Sequence, residues 1–189
     1  MPGRTATQKP RHSALTSFLT QTLRQPTVRK SRTVLPGAIF VPYWLMKSEP
    51  DEFSIHDLQR LGSGRWDGVR NYQARNFMRA MAAGDLFLFY HSSCPEPGVA
   101  GIGRIDNDPF PDPTALDPKS PYHSSKATPE KNPWVARDVS IVEVFDQVIS
   151  LARLREVAAL SSFALLQKGS RLSVMPVTDE EWQAILAYR

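Results

Sequence analysis

Between Tyr43 and Arg79 the chain gathers Lys47, Ser48 and Glu49 ahead of Pro50, then Arg65-Trp66-Asp67 among Gly62, Gly64 and Gly68, and then Asn71. An ammonium, a hydroxyl, an indole and an amide brought together suit recognition of a flat heteroaromatic ring. Such a ring needs apolar faces to stack on and a few donors and acceptors at its edge. Trp66, presented on a Gly-punctuated loop, is the candidate face, worth about 1–3 kcal/mol when stacked on a base. The alternative for the same residue is a core or loop-anchoring tryptophan. Ser48 and Asn71 are candidate edge readers, and each serves equally well as a turn-former or a helix cap. Tyr90, His91, Ser92 and Ser93 end an apolar run, where a barrel rim turns polar groups either to a cavity or to solvent. Arg65, Arg70, Arg75 and Arg79 concentrate positive charge. Arg70 and Arg75 are the candidates for seating phosphates, against the alternative of a solvated helix face.

Catalysis is the second class of function these residues allow, with His91 or Lys47 as base and Glu49 or Asp67 as its partner. Yet the chain holds no nucleophile motif, metal quartet, phosphate-binding glycine loop or dinucleotide fingerprint. Neither a cofactor nor a metal is called for. Cys94 and His91 are neighbours in sequence, whereas catalytic dyads are neighbours in space. Asp106, Asp108, Asp112 and Asp117 are irregularly spaced, and the last three precede prolines, which reads as solvated turns rather than a cation site.

The elements that must position these groups follow from pattern. Tyr43 to Met46 has strand character. Ser54 with Asp57 starts a helix whose apolar face is Ile55, Leu58 and Leu61, ending at Gly62. Asn71 caps a second helix to Met81. Leu86 to His91 is a buried strand, and Val99 to Ile105 is its neighbour, with Gly101 and Gly103 marking a bend or a close approach. Nine of the sixteen prolines fall in 95–133, which predicts a long surface loop there. Ala136 to Ser150 is the best later strand. Short helical patterns follow at Leu151–Ala159 and Ser161–Gln167, and Thr178 with Glu181 opens a last helix through Trp182 and Ile185.

Charge separates a tail from a domain. Residues 1–42 hold seven Lys or Arg and no acid, so 43–189 carries 16 basic and 19 acidic residues although the whole chain is formally +4. The folded part is therefore no general basic clamp, and any nucleic-acid contact is local. The segment 1–42 is expected to be disordered, as a flexible tail or leader, a nucleic-acid arm or a transit peptide. One cysteine excludes an internal disulfide, and the longest apolar run, Val34 to Met46, is short of the roughly 20 residues a membrane helix needs.

The blocks YWLMKSEPDEFS, WDGVRNYQARNFMR, GDLFLFYHSS, PGVAGIGRI and RLSVMPV, in this order from about Tyr43 to Tyr188, resemble the EVE domain family. The resemblance implies an α+β fold, a PUA-like small mixed β-barrel flanked by helices and related to YTH domains. It implies a non-catalytic module that holds a modified nucleobase of DNA or RNA. The implied pocket residues are Lys47, Ser48, Trp66, Asn71, Tyr90, His91, Ser173 and Pro176, with RLSV-x-P as a loop. A monomer is expected, cytoplasmic as for bacterial relatives, or mitochondrial or nuclear in a eukaryote. Met175 stands where such proteins usually carry Gln, which bears on ligand choice if that position touches the ligand. The segment from Tyr122 to Lys126 lacks their usual Asp-Pro. Trp134 is a second candidate stacking face, or else a strand anchor.

Overall fold

The computed structural model describes residues 43–189; the readings of 1–42 lie outside the described residues. Strands and helices intermix as the α+β expectation requires. In chain order they are β1 (Tyr43–Ser48), α1 (Ile55–Leu61), β2 (Ser63–Trp66), α2 (Tyr72–Ala80), β3 (Leu86–His91), β4 (Gly98–Ile105), β5 (Phe110–Pro111), β6 (Val135–Ser150), α3 (Leu151–Glu156), β7 (Val174–Val177) and α4 (Asp179–Leu186). Local chemistry sets the helix starts. Ser54 and Asp57 form a reciprocal capping box on α1, and Thr178 and Glu181 do the same for α4.

The strand order is β2-β6-β4-β3-β1-β7, with β5 pairing β6. All ladders are antiparallel except β1–β3, which is parallel and needs a crossover. Residues 49–85 supply it, and they carry α1, β2 and α2. Both faces of the central strands are buried, which is why those strands read as unbroken apolar runs. Trp44, Met46, Phe87 and Phe89 share one core with Ile55, Leu58, Ala74 and Met78, while Leu45, Leu88, Tyr90 and Met175 share the other with Leu154, Trp182 and Ile185.

Ring contacts show that the sheet curls. β2 and β3 are three strand spacings apart along the ladder, about 14 Å if flat. The Trp66 ring nevertheless lies 5.5 Å from that of Phe87 and 5.1 Å from that of Phe89. Rolling the sheet brings its β2 edge back over the middle strands, as in a small barrel. Buried Arg137 locks this arrangement to α2, donating to the carbonyls of Met78 at 2.7 Å, Met81 at 2.7 Å and Asn107 at 2.5 Å. Orphan carbonyls at a helix C-terminus are thereby satisfied by a cation.

Several elements differ from the sequence reading. Trp66 ends a strand rather than riding a loop, because Ser63 to Trp66 pairs with Ser140 to Arg137. The segment expected as a loop around Val174 is β7, paired with β1. The pattern Leu151–Ala159 is α3 followed by a 3-10 turn at Ala158–Leu160, and Ser161–Gln167 yields only the 3-10 turn Ala164–Leu166. Gly101 does mark a close approach: a Cβ there would press on the Glu143 carbonyl and the Ile55 side chain. Gly101→Ala is expected to cost about 1–3 kcal/mol by overpacking, read as a lower urea midpoint with an unchanged slope.

Candidate functional site

A cavity of about 730 Å³ opens where the curled sheet brings β2 back towards β1 and the start of β7. Lys47 and Ser48 end β1; Phe53 precedes α1; Arg65 and Trp66 end β2, and Asp67 to Asn71 connect it to α2; Tyr122 comes from the long loop, and Arg171 to Ser173 lead into β7. Of the expected pocket residues, Lys47, Ser48, Trp66, Asn71 and Ser173 line it.

Tyr90, His91 and Pro176 are outside this lining. Strand alternation turns Tyr90 to the second core, where it is buried. His91 is 8% exposed, and its Nε2 accepts the Ile55 N–H at 3.1 Å, so it anchors the start of α1. Burial, then neighbouring His56, pushes its pKa below the ordinary histidine value. Pro176 pairs with Trp44. Met175 is fully buried in the second core and is not part of the lining. Trp134 is a buried anchor stacked on Tyr72, with its indole N–H donating to Ser124 at 2.9 Å.

Aromatic groups line the cavity from three elements: Phe53, Trp66 and Tyr122. Trp66 is only 5% exposed, held edge-on by Phe53, Phe87 and Phe89. Tyr122, not foreseen as a pocket residue, lies against Gly68, where a Cβ would be 3.1 Å from the ring and φ is +74°. Glycine alone fits both constraints there. The Tyr122 hydroxyl donates to Glu52, and burial followed by that bond pushes its pKa up to about 12, so the phenol stays protonated.

Polar groups are held in defined orientations. Asn71 Oδ1 accepts from the N–H groups of Gln73 at 2.9 Å and Ala74 at 3.0 Å. The cap thus commits the amide oxygen and leaves the amide NH2 without a partner among the described residues. Ser48 Oγ donates to the Phe53 carbonyl at 2.7 Å, keeping its lone pairs for an incoming donor.

The cations divide in an unexpected way. Arg70 lines the cavity, but its guanidinium donates to Asp112 at 2.7 Å, the Tyr122 carbonyl at 2.7 Å and Thr114 at 2.9 Å. Arg75 is outside the lining and donates to Asn76 and to the Pro133 carbonyl. Asp112, expected in a solvated turn, is fully buried and binds Gly68 N–H at 3.0 Å as well as Arg70. Lys47, Arg65 and Arg171 are lining residues whose side chains form no hydrogen bond or ion pair among the described residues. Lys47 rests over the Tyr90 ring and Arg65 over that of Phe110. Burial holds the Lys47 ammonium below the usual lysine range.

The class so defined is a curled mixed-sheet domain with an aromatic-lined cavity whose wall includes cations unpaired among the described residues. The sequence profile of the EVE domain matches residues 42–188, and the chain belongs to the EVE domain family. It is 38% identical over 164 residues to human thymocyte nuclear protein 1, covering 77% of this chain and 72% of that protein. Among solved structures, a Pseudomonas syringae protein superposes with TM-score 0.76 at 68% identity, covering 77% of this chain and 98% of its own. Human THYN1 protein, solved in complex with 5-methylcytosine containing DNA, superposes with TM-score 0.74 at 37% identity over 77% of this chain and 96% of its own.

Proposed function

We propose that this domain is a non-catalytic reader that takes one modified base of DNA, of the methylated-cytosine type, into the cavity. The observation that carries it is the pairing of aromatic lining with unspent donors: Asn71, Arg65 and Arg171, whose side-chain N–H groups have no hydrogen-bond partner among the described residues, contribute to the lining of one opening in a domain that is otherwise slightly acidic. Stacking faces and edge donors are what an unstacked base requires, and cations at the rim suit its flanking phosphates. The 5-methylcytosine DNA seen with a similar protein supports the choice of base. Catalysis has less to work with, since His91 is committed to Ile55 and Lys47, the other candidate base, has no hydrogen-bonded acid partner among the described residues. Such a reader works where its DNA is: the cytoplasm of a bacterial-type cell, or the nucleus or mitochondrion of a eukaryotic one.

Fluorescence anisotropy with DNA and RNA duplexes holding one 5-methylcytosine or one cytosine tests this. Methylated DNA is expected to bind tighter than its unmodified twin by about 1–3 kcal/mol, the range a methyl group supplies in an apolar pocket. Tyr122→Ala should weaken that binding by about 1–3 kcal/mol through lost stacking, while Tyr122→Phe retains most of it. Arg171→Gln should lower the salt slope by about one. Equal affinity for methylated and unmodified DNA would sink the reading, and a preference confined to RNA would move it to a different polymer.

A further inference from the structure

We propose that the Asp67 carboxylate selects the amino-bearing edge of the base, so that the cavity takes a cytosine-type ring and refuses a thymine-type ring. This rests on the base-reading function above. Asp67 sits between Trp66 and Gly68 and lines the cavity. Its acidic neighbours are all supplied with donors: Asp112 by Gly68, Arg70 and Thr114, Glu49 by Ser93, and Glu52 by Tyr122. No hydrogen bond or ion pair among the described residues reaches the Asp67 oxygens. Every fully buried side-chain polar atom among those residues has a partner, so the unpartnered oxygens of Asp67 are open rather than sealed in the core. A half-buried carboxylate without donors is an acceptor waiting for one.

The surrounding charge refines what that donor is. Asp67 interacts electrostatically with Arg65, Arg70, Asp112 and Tyr122. Burial first and the Asp112 charge second raise its pKa above the ordinary aspartate value, against the two arginines. At the 4-position of cytosine such a carboxylate meets the donor it lacks. One of its oxygens, ionised, accepts from the 4-amino group, the pairing by which Asp and Glu read that edge. 5-Methylcytosine and thymine share ring and methyl group but present opposite edges, since thymine offers a carbonyl where cytosine offers an amine. A carboxylate facing that carbonyl has no proton to share, so shape admits both bases and Asp67 separates them.

The experiment uses the full chain and three single-stranded DNA oligonucleotides identical except for one 5-methylcytosine, thymine or cytosine. The native protein is expected to favour 5-methylcytosine over thymine by on the order of tenfold to a hundredfold, the discrimination of one well-placed base-edge contact. Asp67→Asn, nearly isosteric but able to donate as well as accept, should bring the ratio to within a few-fold of one at an unchanged melting temperature. Asp67→Ser, whose hydroxyl also does both, should show the same collapse if the amide variant folds poorly. An Asn or Ser variant that keeps the native ratio overturns the assignment of Asp67 alone. Failure of the native protein to bind any of the three overturns base reading itself, and this proposal with it.

Discussion

Asp112→Ala is expected to lower the free energy of unfolding by about 3–5 kcal/mol, the cost of stripping one partner from a buried ion pair. The Asp112 side chain is fully buried and that of Arg70 is 21% exposed, so solvent screens the pair little. Beyond Arg70, its carboxylate takes the N–H groups of Gly68 at 3.0 Å and Thr114 at 2.8 Å, and the Thr114 hydroxyl at 2.6 Å. It thereby ties the Gly68 wall of the cavity to the long loop that delivers Tyr122, and binding should fall together with stability. Burial alone would raise the Asp112 pKa, but the bonds from Thr114, Arg70 and Gly68 outweigh it and hold the group below its ordinary value. A folded pKa below the unfolded one means that this stabilisation is present above the unfolded value, about 3.9. It is lost as pH falls through the folded value. Urea titrations of native and variant protein at pH 7 and below pH 4 should therefore show a large gap that narrows in acid; a gap independent of pH would remove charge from the explanation.

Trp66→Ala should cost a similar amount, about 3–5 kcal/mol, for the loss of a buried aromatic side chain. The ring makes edge-on contacts at 5.1 Å with Phe89, 5.5 Å with Phe87 and 6.2 Å with Phe53. Its removal opens a hole where the β2 edge meets the middle of the sheet. Lost binding in this variant is thus expected but says little about stacking, which is why Tyr122 is the better probe of the cavity. Trp66→Phe, which keeps part of the volume, should recover much of the stability. Calorimetric melting decides the point: a Trp66→Ala protein as stable as the native one would show that the indole belongs to the cavity and not to the core.

Local signals were legible in the chain and distant ones were not. Ser54, Asn71 and Thr178 announce helices because a cap bonds to a backbone two or three residues away. The apolar runs of β3 and β4 and the branched run of β6 announce buried strands. β2 escaped because its four residues pair with a strand more than 70 positions later, and nothing inside SGRW records that partner. β7 escaped for the same reason, with Pro176 arguing against a strand. Five of the eight expected pocket residues line the cavity. Tyr90, His91 and Pro176 do not, because position at a strand end leaves open which face a side chain takes. The roles of Asp112 and Tyr122 depend on a proline-rich loop returning to Gly68, a contact between residues over 40 apart.

The parallel pairing of β1 with β3 ties the order of folding events to the appearance of the cavity. Those strands cannot register until the whole crossover 49–85 has closed on itself, and the crossover is also the segment that carries Glu49 to Asn71. Closing so long a loop before its contacts reward it is slow. Half of the cavity wall is therefore built in the same step that completes the sheet, and substitutions in Glu49 to Asn71 should act on the rate of refolding as well as on binding.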